Sequence, residues 1–199
     1  MKRILFIALL ALAVTAFANS ASAISFTLDV PTHYTLDSRT VNTQGNAPLK
    51  NQTLDDVSGF KLLMAGSHHL GVGYERYDVK GKGVSGGGGG PFAFTTTFQF
   101  YDVVLDLPMR LLDFGLGYGV GTVNTSITTS TPPTPVAEQA NASQWFASVG
   151  IPFGQHFDLH VAYHVVSTEH LKLSNTGGGG PDALDLSGHT LMAGVRLAW

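Results

Sequence analysis

Residues 113–122 read DFGLGYGVGT, and their alternation decides the fold. Phe114, Leu116, Tyr118 and Val120 take every second position, with Gly115, Gly117, Gly119 and Gly121 between them. Successive side chains of a β-strand point to opposite faces, so a repeat of two puts the four large side chains on one face. The last stretch repeats the pattern: Leu191, Ala193, Val195, Leu197 and Trp199 alternate with Met192, Gly194, Arg196 and Ala198. Six further segments read as strands, 24–36, 57–66, 70–80, 92–107, 143–153 and 157–171, which brings the total to eight. No helical window competes with them.

The connections fall into two kinds. Short ones lie near 67–69, 108–112 and 154–156, and long ones near 37–56, 81–91, 125–142 and 172–187. They alternate strictly, so in an up-and-down barrel every short turn lies at one end and every long loop at the other. That asymmetry predicts an all-β fold, an eight-stranded antiparallel up-and-down transmembrane β-barrel. Gly86–Gly90 and Gly177–Gly180 each precede a proline and lack the Gly-Lys-Ser/Thr of a phosphate loop, so both read as loop tips.

The short turns fix a register. A turn centred on His68 sets Leu62 against Tyr74, Met64 against Val72 and Lys61 against Glu75. A turn centred on Gln155 sets Ile151 against Leu159, Val149 against Val161, Gly150 against His160 and Phe146 against His164. In both hairpins the apolar column keeps one face, and a slip of one residue would mix the columns. The segment 92–107 breaks the pattern: Phe94, Phe98 and Phe100 share one parity, whereas Tyr101, Val103, Leu105 and Leu107 take the other. A β-bulge or bend near Phe100 and Tyr101 is the expected repair.

Composition chooses which face is outside. Charged residues make up 13% of the 199, against about 25% in an average soluble domain. The polar column is mostly Gly, Ser, Thr and Ala, too bland for a water-facing exterior, so the apolar column points outward. Aromatics near the expected strand ends (Phe26, Phe60, Phe92, Phe114, Trp145, Phe153, Phe157 and Trp199) fit two interfacial girdles. Cysteine is absent, and acidic residues outnumber basic ones 14 to 11. That excludes disulfide scaffolds and thiolate metal sites, and argues against nucleic-acid binding.

Residues 1–23 carry Lys2 and Arg3, an apolar run from Ile4 to Phe17 and the small-residue site Ala21-Ser22-Ala23, the pattern of a secretory signal peptide. Its removal leaves a barrel over 24–199, with 9 of the 11 basic residues remaining against 14 acidic ones.

Several ionic side chains share the inward parity. Asp29 and His33 fall on the first strand, Lys61 on the second and Glu75 on the third. Asp102 or Asp106 falls on the fourth, Asp158, His160, His164 and His170 on the seventh, and Arg196 on the last. Lys61 and Glu75 form the clearest pair, and Arg196 is placed to bridge Asp29 and Asp158. A narrow barrel fills its interior with paired charges because unpaired buried ones are costly; the alternative is a small polar conduit. His156, His160 and His164 recur every four residues, about 13 Å apart along a strand, too far to share a metal ion that each nitrogen must approach to about 2 Å. No metal or other cofactor is expected. The histidine column is either structural filling or a source of pH response.

The segments VSGFKLLMAGSHHLGVGYERYDVKGKG (57–83) and FTTTFQFYDVVLDLPMRLLDFGLGYGVG (94–121) resemble an uncharacterised family of bacterial outer-membrane β-barrel proteins. The protein A-type and protein W-type barrels are its fold relatives. The closing column Leu191, Val195, Leu197 and Trp199 resembles the C-terminal strand signal read by the barrel assembly machinery. The resemblance implies a monomer in the outer membrane of a Gram-negative cell, contacting lipid and lipopolysaccharide and that machinery during insertion. Its implied role is structural, surface-interacting or membrane-stabilising. Passage or binding of small apolar molecules, as associated with protein W-type barrels, is the alternative. A second alternative is lipid A hydrolysis. Lipid A deacylases carry His-x-Ser-Asn, whereas here His170 stands four residues before Ser174-Asn175, about 13 Å along a strand. That exceeds the roughly 3 Å a base and its nucleophile need, so no enzyme is expected.

Overall fold

The computed structural model describes residues 24–37, 50–66, 69–84, 91–109, 111–129, 135–153, 156–169, 171–172 and 183–199. In chain order the strands are β1 (Ser25–Leu36), β2 (Lys50–Ala65), β3 (Leu70–Val84), β4 (Pro91–Pro108), β5 (Asp113–Thr129) and β6 (Pro135–Phe153). Then come β7 (Phe157–Thr168), β8 (Leu171–Lys172), β9 (Ala183–Leu184) and β10 (Gly188–Ala198). Eight of them close into one antiparallel barrel in the order β1-β10-β7-β6-β5-β4-β3-β2, and β8 pairs with β9 in a separate two-stranded ribbon. The expected 1–23 leader, both polyglycine runs, the side chain of Phe92, His170, Ser174 and Asn175 lie outside the described residues.

The two hairpin registers stand as the sequence dictates. Lys61 faces Glu75 and Met64 faces Val72, while Gly150 faces His160 and Phe146 faces His164. The strands run further than expected toward the long connections: β2 starts at Lys50, β5 ends at Thr129 and β6 starts at Pro135. Thr, Val and Ile dominate residues 122–129, and they suit a pleated surface without strict alternation of hydrophobicity. The seventh strand stops at Thr168, and Leu171 belongs to the ribbon.

The bulge expected near Phe100 is absent. β4 keeps one register against β3 from Leu70 and Leu105 to Val84 and Pro91, and one register against β5 along its whole length. Both sets of apolar residues keep strict alternation but face opposite sides: Phe98 is 1% exposed and points inward, while Tyr101 is 52% exposed and points outward. The surroundings change, not the parity.

That change recurs around the barrel. Outward residues of β5 run Phe114, Leu116, Tyr118, Val120, then Thr122, Asn124, Ser126; those of β6 run Ile151, Val149, Ala147, Trp145, then Ser143, Asn141, Gln139. On β3, Val72 and Tyr74 give way to Arg76, Asp78 and Lys80. Arg76, Gln99, Thr122 and Asn141 form one continuous paired row of polar outward residues across four strands. The interior does the reverse. Toward the short turns it holds Asp29, Lys61, Glu75, Asp102, Gln144 and His164; toward the long connections it holds Tyr34, Tyr77, Phe98, Val123, Val166 and Met192, all buried. One half therefore has an apolar wall and a polar filling, and the other has a polar wall around a hydrophobic core.

A bulge does occur in β1, between Pro31 and His33. It shifts parity so that Tyr34 enters the core and His33 is exposed, where its ring bonds Thr35 Oγ1 at 3.0 Å. His33 therefore does not line the lumen. Trp145 and Phe60 sit at the upper edge of the apolar wall and not at strand ends, because their strands continue past it.

Candidate functional site in the barrel interior

Three tiers fill the interior. The tier nearest the short turns centres on Arg196 of β10. Its Nε donates to Asp158 of β7, Nη1 to Asp106 of β4 and Nη2 to Asp113 of β5. One planar guanidinium thus ties three carboxylates from three other strands, which suits its fixed fork of donors. The expected bridge from Arg196 to Asp29 does not form. Asp29 stands in register with Gly194, one inward position deeper than Arg196, and Gly194 stands in register with His160. Gly194 has no side chain, so Asp29 reaches across it to His160 Nε2 at 2.5 Å. A Cβ at Gly194 would fall 1.9 Å from Asp29 Oδ1.

The middle tier is a sealed polar network. Lys61 Nζ lies 3.9 Å from Glu75 and 3.8 Å from Asp102, and 3.2 Å from the centroid of the Phe146 ring, a cation–π contact strengthened by the lack of water. Gln144 Nε2 donates to Glu75 at 2.8 Å and to Asp102 at 2.9 Å. With the amide so turned, its oxygen accepts from His164 Nδ1 at 3.2 Å, which puts a proton on that nitrogen. His164 stacks on Phe146 at 4.8 Å. The β5 glycines make this possible. Gly119 separates Asp102 from Gln144 in one row, and its Cβ would fall 2.1 Å from Asp102 Oδ1; a Cβ at Gly117 would fall 2.0 Å from Phe146.

The third tier is aromatic. Tyr77 stacks on Phe98 at 4.9 Å, Tyr34 lies 5.4 Å from Phe98, and Phe98 lies 6.2 Å from Phe100. The Tyr34 hydroxyl donates to the Leu186 carbonyl at 2.7 Å. Leu171 of the ribbon and Leu186 are buried against this core and cap it. A cavity opens on the short-turn side, lined by Asp29, Asp106, Asp113, Asp158, His160 and Arg196 among others. Among the described residues, no group of three or more His, Asp or Glu side chains is arranged to hold a metal ion.

Sequence reasoning placed Lys61 beside Glu75 and Arg196 beside Asp158. It missed Asp113, Gln144 and the aromatic tier. Asp113 and Gln144 both carry the inward parity of their strands, and that signal was available. His170 lies outside the described residues. Leu191, Leu197 and Trp199 are exposed on the outer face of the closing strand, with Val195 half-buried between them. The Trp199 amide donates to the Ile24 carbonyl at 3.1 Å, and its ring meets Phe26 edge-on at 5.8 Å.

No protein-family model and no curated protein matches this sequence. Among solved structures, the chain is similar to neisserial surface protein A, with 11% identity and a TM-score of 0.46, covering 89% of this chain and 97% of that one. It is similar to Ail, the attachment invasion locus protein of Yersinia pestis, solved with the heparin analogue sucrose octasulfate (13%, TM-score 0.48, 89% and 97%). It is also similar to the outer-membrane protease OmpT of Escherichia coli (10%, TM-score 0.48, 89% and 94%).

Proposed function

We propose that this chain is an integral outer-membrane protein whose barrel is a closed scaffold, holding the long connections above the membrane and conducting nothing at rest. The supporting observation is the paired reversal of wall and filling. Only helices and closed barrels satisfy every backbone group inside a bilayer. The apolar half of this wall exposes Leu28, Leu62, Leu116, Ile151, Val161 and Leu191 together, far beyond the patches a soluble monomer shows. The short turns then face the periplasm and the long connections the exterior. Residues 1–23 act as the cleaved export signal, the β10 column serves the assembly machinery, and the barrel stays monomeric amid lipid and lipopolysaccharide.

A scaffold is favoured over a conduit because three tiers of side chains fill the interior, as expected for eight strands. The same filling argues against a binder of small apolar molecules, since the aromatic tier is packed. The test is single-channel recording in planar bilayers. The refolded protein should give no stable conductance steps, and the Tyr77→Ala/Phe98→Ala double variant, checked for folding by heat-modifiable mobility, should give small ones. Steady steps from the unaltered protein would overturn the scaffold reading.

A further inference from the structure

The described residues of the three short turns differ. The β2–β3 turn ends in Gly66 and exposed His69, and the β6–β7 turn in exposed His156, whose Nδ1 contacts the Ala198 carbonyl at 2.8 Å. The β4–β5 turn instead presents Met109, 56% exposed, Leu111, 80% exposed, and Leu112, 38% exposed. Leu111 is the most exposed of all the large apolar side chains described. A turn in water gains nothing by showing three of them.

The turn is also ordered from within. The Met109 amide donates to the Leu112 carbonyl at 3.1 Å and to Asp113 Oδ1 at 3.2 Å, while Asp113 Oδ2 accepts from Arg196. The apolar side chains thus project from a braced hairpin tip. On either side exposed apolar side chains continue, through Leu107 and Leu105 on β4 and through Phe114 and Leu116 on β5; Arg110, between Met109 and Leu111, lies outside the described residues. The turn is the end of the lipid-facing wall.

We propose that the β4–β5 turn is an interfacial anchor, with Met109, Leu111 and Leu112 embedded at the headgroup–acyl boundary of the periplasmic phospholipid leaflet while the other two turns stay in water. The proposal rests on the membrane reading above. Its occupant is phospholipid because the patch is continuous with the lipid-facing wall, and apolar side chains at this boundary gain by burying their area there. The barrel then sits tilted toward this hairpin, and the anchor holds Asp113 in place for Arg196.

The chain has no cysteine, so single probes are readily placed. Leu111→Cys, Leu116→Cys and His69→Cys proteins, each carrying an environment-sensitive fluorophore, are refolded into phosphatidylcholine–phosphatidylglycerol vesicles. Quenching by shallow nitroxide lipids is compared with quenching by aqueous iodide. The expected result is strong lipid quenching at 116 and 111, with iodide quenching several-fold greater at 69 than at 111. A probe at 111 quenched by iodide like the one at 69, with 116 still quenched by lipid, would overturn the anchor and leave the membrane reading standing. That outcome would point to a periplasmic protein as the occupant. Absence of lipid quenching at both 116 and 111 would overturn the membrane reading and the anchor with it.

Discussion

At the scale of single residues, the interior obeys one rule: a glycine on an intervening strand lets side chains from its two neighbours meet. Asp29 reaches His160 over Gly194, and Asp102 meets Gln144 over Gly119. Gly119→Ala puts a methyl 2.1 Å from Asp102 Oδ1 and should cost about 1–3 kcal/mol by leaving a buried acceptor unmet. Gly150→Ala meets its nearest neighbour, His160 Cβ, at 3.3 Å and should cost clearly less; urea midpoints of the two variants in lipid vesicles check the order. On the outer face, Val149→Arg should cost about 2–4 kcal/mol near the bilayer midplane. Arginine at Ser148, which points inward beside Gly115, should show packing strain with no dependence on bilayer thickness. The inward acids were legible from parity alone. Lys61 and Glu75 were legible as partners because a short turn fixes their stagger, and Asp158 was legible as a partner of Arg196, with which it stands in register across β7 and β10. The seam between β1 and β10 joins strands far apart in sequence, no turn sets its register, and so Arg196 was paired with Asp29 one row too far.

At the scale of elements, β4 carries the lesson. A switch in apolar parity reads as a bulge when one face is assumed to meet lipid throughout. The strand instead passes from a lipid-facing wall to a core-filling one, and both parities are apolar in turn. Phe98→Ala should therefore cost about 3–5 kcal/mol, as removal of a buried aromatic does. Tyr101→Ala, three residues away on the outer face, should cost much less, and equilibrium unfolding separates them. The extended strands follow from the same cause. About 9–11 tilted residues cross a bilayer, yet β5 has 17 and β6 has 19. The surplus is held by Val123, Ile127 and Phe94, which pack inward toward the long connections. Alternation located the halves of these strands whose outer face is apolar, because there the two faces differ in chemistry at every step. It ended their upper halves early because Thr, Ser and Asn on a solvated wall read as loop.

At the scale of the whole molecule, the barrel joins two chemistries end to end. Its lower half, toward the short turns, has an apolar wall with ions inside, and its upper half has a polar wall around a hydrophobic core; in the proposed function the first is the membrane zone and the second faces water. The 13% charge of the chain follows from that construction. Lipid admits almost no charge on the lower wall, the lower lumen admits charge only when it is partnered, and the upper core admits none. The direct test of this division is a nitroxide scan along the outward column of β5, at Phe114, Leu116, Tyr118, Val120, Thr122, Asn124 and Ser126, reading collisions with oxygen against those with a water-soluble nickel chelate. The two-zone account predicts oxygen-dominated, lipid-like collisions through Val120 and nickel-dominated, aqueous collisions from Thr122 onward. Lipid-like collisions continuing through Ser126, or aqueous ones beginning at Leu116, would contradict it.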